Sequence, residues 1–453
     1  MNQNFGEGPI WKNVVAQAIP LTIAQLVQLL YNIVDRIYIG HLPGVGTAAL
    51  TGVGLTFPII LFVTAFTSLF GMGGAPLCSI ARGAGNRERA ERVMACSFTL
   101  LAGSSLIIMA VCYLFMEPVL YLFGASDATY GYASSYLKIY LLGTVSVMIG
   151  TGMNYFINSQ GFPGAAMVTT LLGAVLNLVL DPVFIFLFDM GVPGAALATI
   201  LSQTASAIWV MAFLMGKKPV LSFRKEYLRP TWAMTKEITS LGLSGFIMSA
   251  TNCAVQVVCN ATLKQYSDLY IGVMTVLNSV REILSLPVTG LTNGAQPVLG
   301  FNYGAGKYKR VKKAIVFTSI IGVIYTGIAW AAVLLFPEIF IRMFSSDPAL
   351  LEPGVHSLHI YFFGFISMTL QFSGQTTFVA LGKSKQAIFF SLLRKAFIVI
   401  PLTILLPKLW GLGADGVFWA EPVSNIIGGT ASFTAMMLIV WRKELSHPPV
   451  PEQ

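Results

Sequence analysis

The sequence predicts an all-α polytopic membrane protein. Twelve transmembrane helices are expected, in two six-helix lobes related by a pseudo-two-fold axis along the membrane normal. Three observations predict this class: scarce charge, long apolar runs, and landmarks that recur about 221 residues apart. Only 10% of the 453 residues are charged, 28 basic and 19 acidic, whereas 55% are hydrophobic, and the mean hydropathy is +0.73. A soluble domain carries roughly 25% charged residues. The deficit excludes both a water-soluble globular fold and a disordered chain.

Roughly 20 apolar residues cross the hydrocarbon core as a helix, and longer runs tilt. Read in order, the runs are 13–38, 47–79, 91–116, 131–156, 162–187, 192–215, 237–262, 269–299, 311–336, 355–380, 384–407 and 413–440. Pro58, Pro76, Pro287 and Pro297 fall inside runs and predict kinks, because neighbouring helices can satisfy the freed carbonyls. With both termini cytoplasmic, 22 of the 28 basic residues fall on the inner side, including Arg82 to Arg92, Lys217 to Lys236, Lys307 to Lys313, and Lys383, Lys385, Arg394 and Lys395. The outer side collects acids such as Glu117, Asp127, Asp189, Glu338 and Asp415. This is the positive-inside bias expected of twelve spans.

The repeat divides the chain. PLCSIARGAG from Pro76 and PVLGFNYGAG from Pro297 are each followed by a basic stretch. Leu122, Phe123 and Asp127 find Met343, Phe344 and Asp347; Ile139-Tyr140 before Gly143 returns as Ile360-Tyr361 before Gly364. GVPGAALA from Gly191 answers GADGVFWA from Gly413. Ordered matches at a nearly constant offset indicate duplication. Six spans per repeat give an N-terminal lobe at 1–216, a cytoplasmic basic linker at 217–236 and a C-terminal lobe at 237–453. Two parallel bundles flanking a cleft suit alternating access.

Several function classes are disfavoured. The five cysteines lie in apolar stretches without CxxC spacing and read as small core residues. The net charge of +9 lacks the clustered basic face of a nucleic-acid binder. His41, His356, His359 and His447 lack metal-ligand spacing. With no phosphate loop or nucleophile elbow, the chain is not expected to be an enzyme, and no cofactor is expected. The N-terminus lacks the pattern of a removable signal peptide.

A carboxylate within a membrane helix costs several kcal/mol on insertion scales, so it marks function or a specific partner. Asp35, Asp181, Glu282 and Glu421 qualify. Asp35 and Asp181 are the foremost candidates for a site that alternately binds and releases a proton or small cation, since desolvation favours the neutral form and a bound cation the ionised one. Asn177 precedes Asp181 by one helical turn; Thr199, Asn154, Gln25 and Gln28 are candidates for the same cavity. The bland readings are interface location beside Arg36 for Asp35, and helix-end electrostatics beside Pro182 for Asp181. Glu282 follows Arg281, with which it shares no helix face. Glu421, beside Pro422, reads equally as a kink or helix contact.

These residues resemble the multidrug and toxic compound extrusion (MATE) family over nearly the whole chain. The specific matches are Val34-Asp35 followed by Ile39-Gly40, the loop Arg82-Gly83-Ala84-Gly85, Gln160-Gly161, LNLVLDP from Leu176 and GVPGAALAT from Gly191. They look closer to the prokaryotic multidrug-exporter branch than to the eukaryotic one. The resemblance implies export of amphipathic, often cationic compounds in exchange for H+ or Na+. It also implies a cation-coupling site at Asp35, Asn177, Asp181 and Thr199, with Na+ at Asp35 and Asp181 the only metal implied, and a helix-bending role for Pro20. One departure is evident: some members place acids in the seventh and tenth helices. Here the seventh span has none, and the tenth offers Gln371 and Gln375.

A substrate cleft is expected to involve Gln25, Gln28, Met153, Asn154, Tyr155, Phe156 and Glu282, where thioether and aromatic groups supply a repackable surface. The expected partners are the lipid bilayer and small amphipathic substrates, with no nucleic acid. The chain is expected to be monomeric, in a prokaryotic plasma membrane. The rival reading is a flippase or exporter of a lipid-linked or anionic amphiphile. Such a cavity would be richer in Arg and Lys, whereas the embedded basic residues read as few, chiefly Arg36, Lys138 and Arg281.

Overall fold

The computed structural model describes residues 4–42, 46–344, 348–409 and 411–446; Asp347 and His447 lie outside these ranges. The described residues form α-helices joined by short turns. In chain order they are α1 (Ile10–Gly40), α2 (Gly46–Gly83), α3 (Arg87–Leu114), α4 (Met116–Leu122), α5 (Asp127–Leu142), α6 (Thr144–Ser159), α7 (Pro163–Pro182) and α8 (Val192–Leu214). There follow α9 (Trp232–Leu263), α10 (Asp268–Gly304), α11 (Tyr308–Leu335), α12 (Pro337–Arg342), α13 (Pro348–Phe362), α14 (Phe365–Ala380), α15 (Ser384–Leu392), α16 (Ile400–Leu405) and α17 (Ala414–Met436).

Among the described residues ten helical segments are long and apolar enough to cross a membrane. The pair α5–α6, bent by 57° at Gly143, supplies an eleventh. The expected span at 355–380 is instead the two shorter helices α13 and α14, which meet at Gly364. A Cβ at Gly364 would lie 2.5 Å from the Pro422 carbonyl oxygen, so the break occurs where two backbones touch.

The chain forms two compact units: residues 23–246, and residues 4–22 together with 247–453. The division therefore falls inside α1 and α9, not at the basic segment 217–236. In the first unit that segment is packed rather than free. Leu221 is buried, and the Ser222 amide donates to Glu91 Oε1 (2.9 Å). Arg224 and Arg87 flank the same carboxylate at 3.1 and 2.8 Å.

The first unit is built around Met94, Leu101, Met148, Met153, Phe156 and Ile157, all fully buried, with a second cluster about Leu120, Leu137 and Leu141. Large apolar side chains such as Ile107, Leu114 and Leu187 are exposed, as suits helices whose outer solvent is lipid. Glycine sets the approach of α9 to α2, because a Cβ on Gly242 would lie 1.8 Å from the Leu69 carbonyl oxygen.

In the second unit, residues 4–9 are tied down. Arg310 donates to the carbonyls of Phe5, Glu7 and Gly8 (2.8–3.0 Å), and Asn302 donates to Phe5 (3.0 Å). The unit's core includes Leu277, Val333, Phe362, Phe365 and Phe418.

The duplication is visible in the elements themselves. α3 and α11 are both 28 residues long, and α6 and α14 both 16. The glycines that precede α8 and α17 adopt the same unusual backbone, φ 58° and ψ −132° at Gly191 and φ 54° and ψ −132° at Gly413. Each span that begins at Pro163 or Ser384 also breaks into a π-helical turn, at Val183–Leu187 and Leu393–Val399 respectively.

Candidate functional site

In the first unit, α1, α7 and α8 bring Asp35, Asn177, Asp181 and Thr199 together. On α7 the spacing from Asn177 to Asp181 is one helical turn, so both side chains share a face. Asn177 Nδ2 donates to Asp181 Oδ1 at 3.2 Å and to Thr199 Oγ1 at 3.4 Å. The carboxyl groups of Asp35 and Asp181 lie within hydrogen-bonding reach of each other. Asp181 is fully buried, and Asn177 and Thr199 are 2% and 5% exposed.

Three oxygens in this pocket, Asp35 Oδ1, Asp181 Oδ2 and Asn177 Oδ1, are buried and meet no donor among the described residues. Such groups are costly unless a proton or cation satisfies them. The tyrosines Tyr31 and Tyr136 stand near Thr199 and the carboxylates, and Tyr140 stands beside Tyr31. Chemically, the pocket is an oxygen cage with two acids at contact, suited to a shared proton or one small cation.

The other expected residues are dispersed. Pro20 lies inside α1, near the division between the units' shares of that helix. Gln28 Nε2 donates to Asn32 Oδ1 at 3.3 Å, and Gln25 is half-buried. Met153 and Phe156 do not line a cleft: both are fully buried in the apolar core, because their face of α6 packs on α2 and α3. Gly152 beside them fits against Leu101, and Gly71 against Tyr155. Asn154 is an interhelical tie, donating to the Ala166 carbonyl (3.2 Å) and accepting from Thr169 Oγ1 (3.1 Å). Glu282 is exposed on α10. Among the described residues no group of three or more His, Cys, Asp or Glu converges as a metal site.

The second unit holds a different polar cluster. Glu421 on α17 accepts from Arg281 Nη1 on α10 at 2.7 Å and from Lys395 Nζ at 3.1 and 3.2 Å, with Arg394 3.5 Å away. Arg394 and Lys395 therefore belong inside the protein, not to the cytoplasmic basic set. They sit midway along the span Ser384–Lys408, and Lys395 is only 2% exposed.

A family model for MatE matches residues 20–183 and 246–405. The chain belongs to the MatE family. The two matched stretches correspond to the two repeats. This MatE chain is 26% identical over 435 residues to the multidrug export protein MepA of Staphylococcus haemolyticus, covering 96% of the chain and 94% of that protein. It is 27% identical over 441 residues to MepA of Staphylococcus aureus, covering 96% and 95%. Its fold matches a crystal structure of MATE in the bent conformation with a TM-score of 0.92, at 21% identity, covering 98% of this chain and 99% of that one.

Sequence reading missed Tyr31, Tyr136 and Tyr140 in this MatE chain. For Tyr31 a signal existed: it precedes Asp35 by one helical turn on the same face. Tyr136 and Tyr140 are likewise one turn apart, but nothing local points their face toward α1. Arg394 and Lys395 were legible too, since they interrupt the apolar run 384–407 near its middle.

Proposed function

We propose that this chain is a secondary active multidrug exporter of the plasma membrane, with both termini cytoplasmic. It moves amphipathic, often cationic compounds in exchange for H+ or Na+ by alternating access. The observation that carries the coupling reading is the set of buried oxygens without a donor among the described residues, Asp35 Oδ1, Asp181 Oδ2 and Asn177 Oδ1, with the two carboxyl groups near each other inside the first unit. Like charges this close cannot both remain ionised without a proton or cation between them. Gaining and losing that ion changes the local charge by one unit where water is scarce, and the packing of α1 must respond.

Asn177 orients Asp181, and Thr199 with the tyrosine hydroxyls completes the oxygen shell. Two neighbouring acids can share a proton, and the same oxygens suit Na+. Drug and ion then bind with opposite preference, each weakening the other by the same factor. Pro20 leaves the carbonyl one turn before it without its helical donor, which makes the early part of α1 the easier place to bend.

The test is drug efflux from proteoliposomes under imposed pH or Na+ gradients, with native, Asp35→Asn and Asp181→Asn chains. The expected result is gradient-driven export by the native chain and loss of gradient dependence in both variants. Export driven equally well with both acids neutralised refutes the coupling site. The second reading, transport of an anionic amphiphile, is favoured by the cations around Glu421.

A further inference from the structure

The second unit holds a partly open cavity of about 210 Å³ lined by Gln256, Asn278, Arg281, Tyr361, Lys395 and Glu421, among others. Its position in the repeat is informative. Tyr361 lies 221 residues after Tyr140, Gln256 lies 221 after Asp35, and Glu421 lies 222 after Thr199. The cavity is thus the second unit's counterpart of the acid pocket, built from the corresponding helices of the duplicated bundle with α10 added. Its charge is reversed. One carboxylate, Glu421, faces Arg281 and Lys395 across the cavity, with Arg394 3.5 Å from it outside the lining, so cations outnumber the carboxylate that lines the cavity.

The donors are also incompletely used. Arg281 commits Nη1 to Glu421 and lies over the Tyr361 ring at 5.7 Å. Its Nε and Nη2 donate to no described residue. Lys395 spends its contacts on the two Glu421 oxygens and has no other hydrogen-bond partner among the described residues. Asn278 and Gln256 are held in a chain, Tyr361 to Asn278 at 2.7 Å and Asn278 to Gln256 at 3.2 Å, which orients the remaining polar wall. Uncompensated cations at this depth are costly, and a guanidinium with an open edge is shaped for two oxygens of an oxyanion.

We propose that this cavity is an anion subsite that takes the carboxylate or phosphate oxygens of an anionic or zwitterionic amphiphile. Its volume lies below the roughly 300 Å³ at which drug-sized pockets begin, so it receives a head group and not a whole molecule. The subsite's role in cargo selection rests on the export reading above; the binding itself does not.

The test is equilibrium binding to the purified full chain of rhodamine B, a zwitterion with a free carboxylate, and of rhodamine B ethyl ester, in which that charge is masked. Octyl phosphate should displace rhodamine B from the native chain and leave the ester bound. Inorganic phosphate doing so equally identifies a free anion as the occupant, and phosphatidylglycerol in nanodiscs doing so identifies a lipid head group; both support the subsite. Arg281→Gln should weaken rhodamine B at least about tenfold, as expected for a lost charge-assisted hydrogen bond, with the ester within twofold. Arg281→Lys should recover part of the loss. Gradient dependence of efflux, read in the proteoliposome assay above, reports on the coupling site separately, so a failed coupling site and a failed subsite give different results. Equal displacement or equal weakening of both probes overturns the proposal. The native-chain displacement decides it even where the glutamine variant does not fold.

Discussion

Replacing Glu421 by Gln removes the only carboxylate within 4.0 Å of Arg281, Arg394 and Lys395 among the described residues. The native carboxylate divides its oxygens: Oε1 meets Arg281 at 2.7 Å, Lys395 at 3.1 Å and Arg394 at 3.5 Å, and Oε2 meets Lys395 at 3.2 Å. An amide keeps one acceptor but loses the charge, and its NH2 faces Lys395. Removing one partner of a buried ion pair costs about 3–5 kcal/mol, chiefly through the charge left behind. Here three cations are left, and Arg281, 28% exposed at its side chain, is the one best placed to be relieved by water. The upper half of that range is therefore expected, a fall of roughly 5–20 °C in melting temperature. The assay is thermal unfolding of the detergent-solubilised chain followed by size-exclusion fluorescence. Pairing Glu421→Gln with Lys395→Met should restore most of the loss, because the second change removes the most deeply buried unpaired cation. A Glu421→Gln chain that melts with the native one, or a double variant no better than the single, would refute the ion-cluster reasoning.

Two further outcomes follow from packing and from the linker. Gly242→Ala puts a methyl 1.8 Å from the Leu69 carbonyl oxygen and 2.6 Å from its carbon; backbone cannot yield as a side-chain tip can, so α9 and α2 must part, and a loss of about 1–3 kcal/mol or more should appear as a lower melting temperature, whereas Gly103→Ala, with open space around it, should leave the melt unchanged. Glu91→Gln breaks the contacts to Arg87 and Arg224 and weakens that to the Ser222 amide, at about 1.5–3 kcal/mol for charged hydrogen bonds. Limited trypsin digestion should then cut the segment 217–229 faster than in the native chain, and an unchanged cleavage rate would show that the segment is held by other contacts.

The membrane class was legible because it rests on sums over hundreds of residues, which no local error overturns. The repeat was legible because Gly191 and Gly413, or Gly143 and Gly364, mark places where the backbone itself needs a particular shape. The break between α13 and α14 was harder to see, since its cause is the Pro422 backbone pressing on Gly364 from far along the chain. Asp35 and Asp181 stood out as acids in apolar runs, and the family resemblance narrowed the candidates around them to Asn177 and Thr199, which the structure places beside Asp181. Met153 and Phe156 could not be assigned that way. An apolar side chain on a membrane helix reads the same whether it meets lipid, a cleft or another helix, and only the packing of α6 against its neighbours decides.

The two repeats also show what a duplicated bundle can vary at low cost. The scaffold is held in common: the glycine turns, the π-helical breaks, and the tyrosine at 140 and 361. The charges are not. In the first unit, Asp35 Oδ1 and Asp181 Oδ2 lack donors among the described residues, so on the proposed reading a proton or cation from solution neutralises them. In the second, Glu421 is already matched by more positive charge than it can offset, so the ion that would complete that cluster is an anion. A charge inside a membrane costs several kcal/mol, too much for either set to persist as filler. Opposite charges at corresponding places therefore argue for distinct occupants, a coupling cation in one repeat and the head group of a cargo in the other.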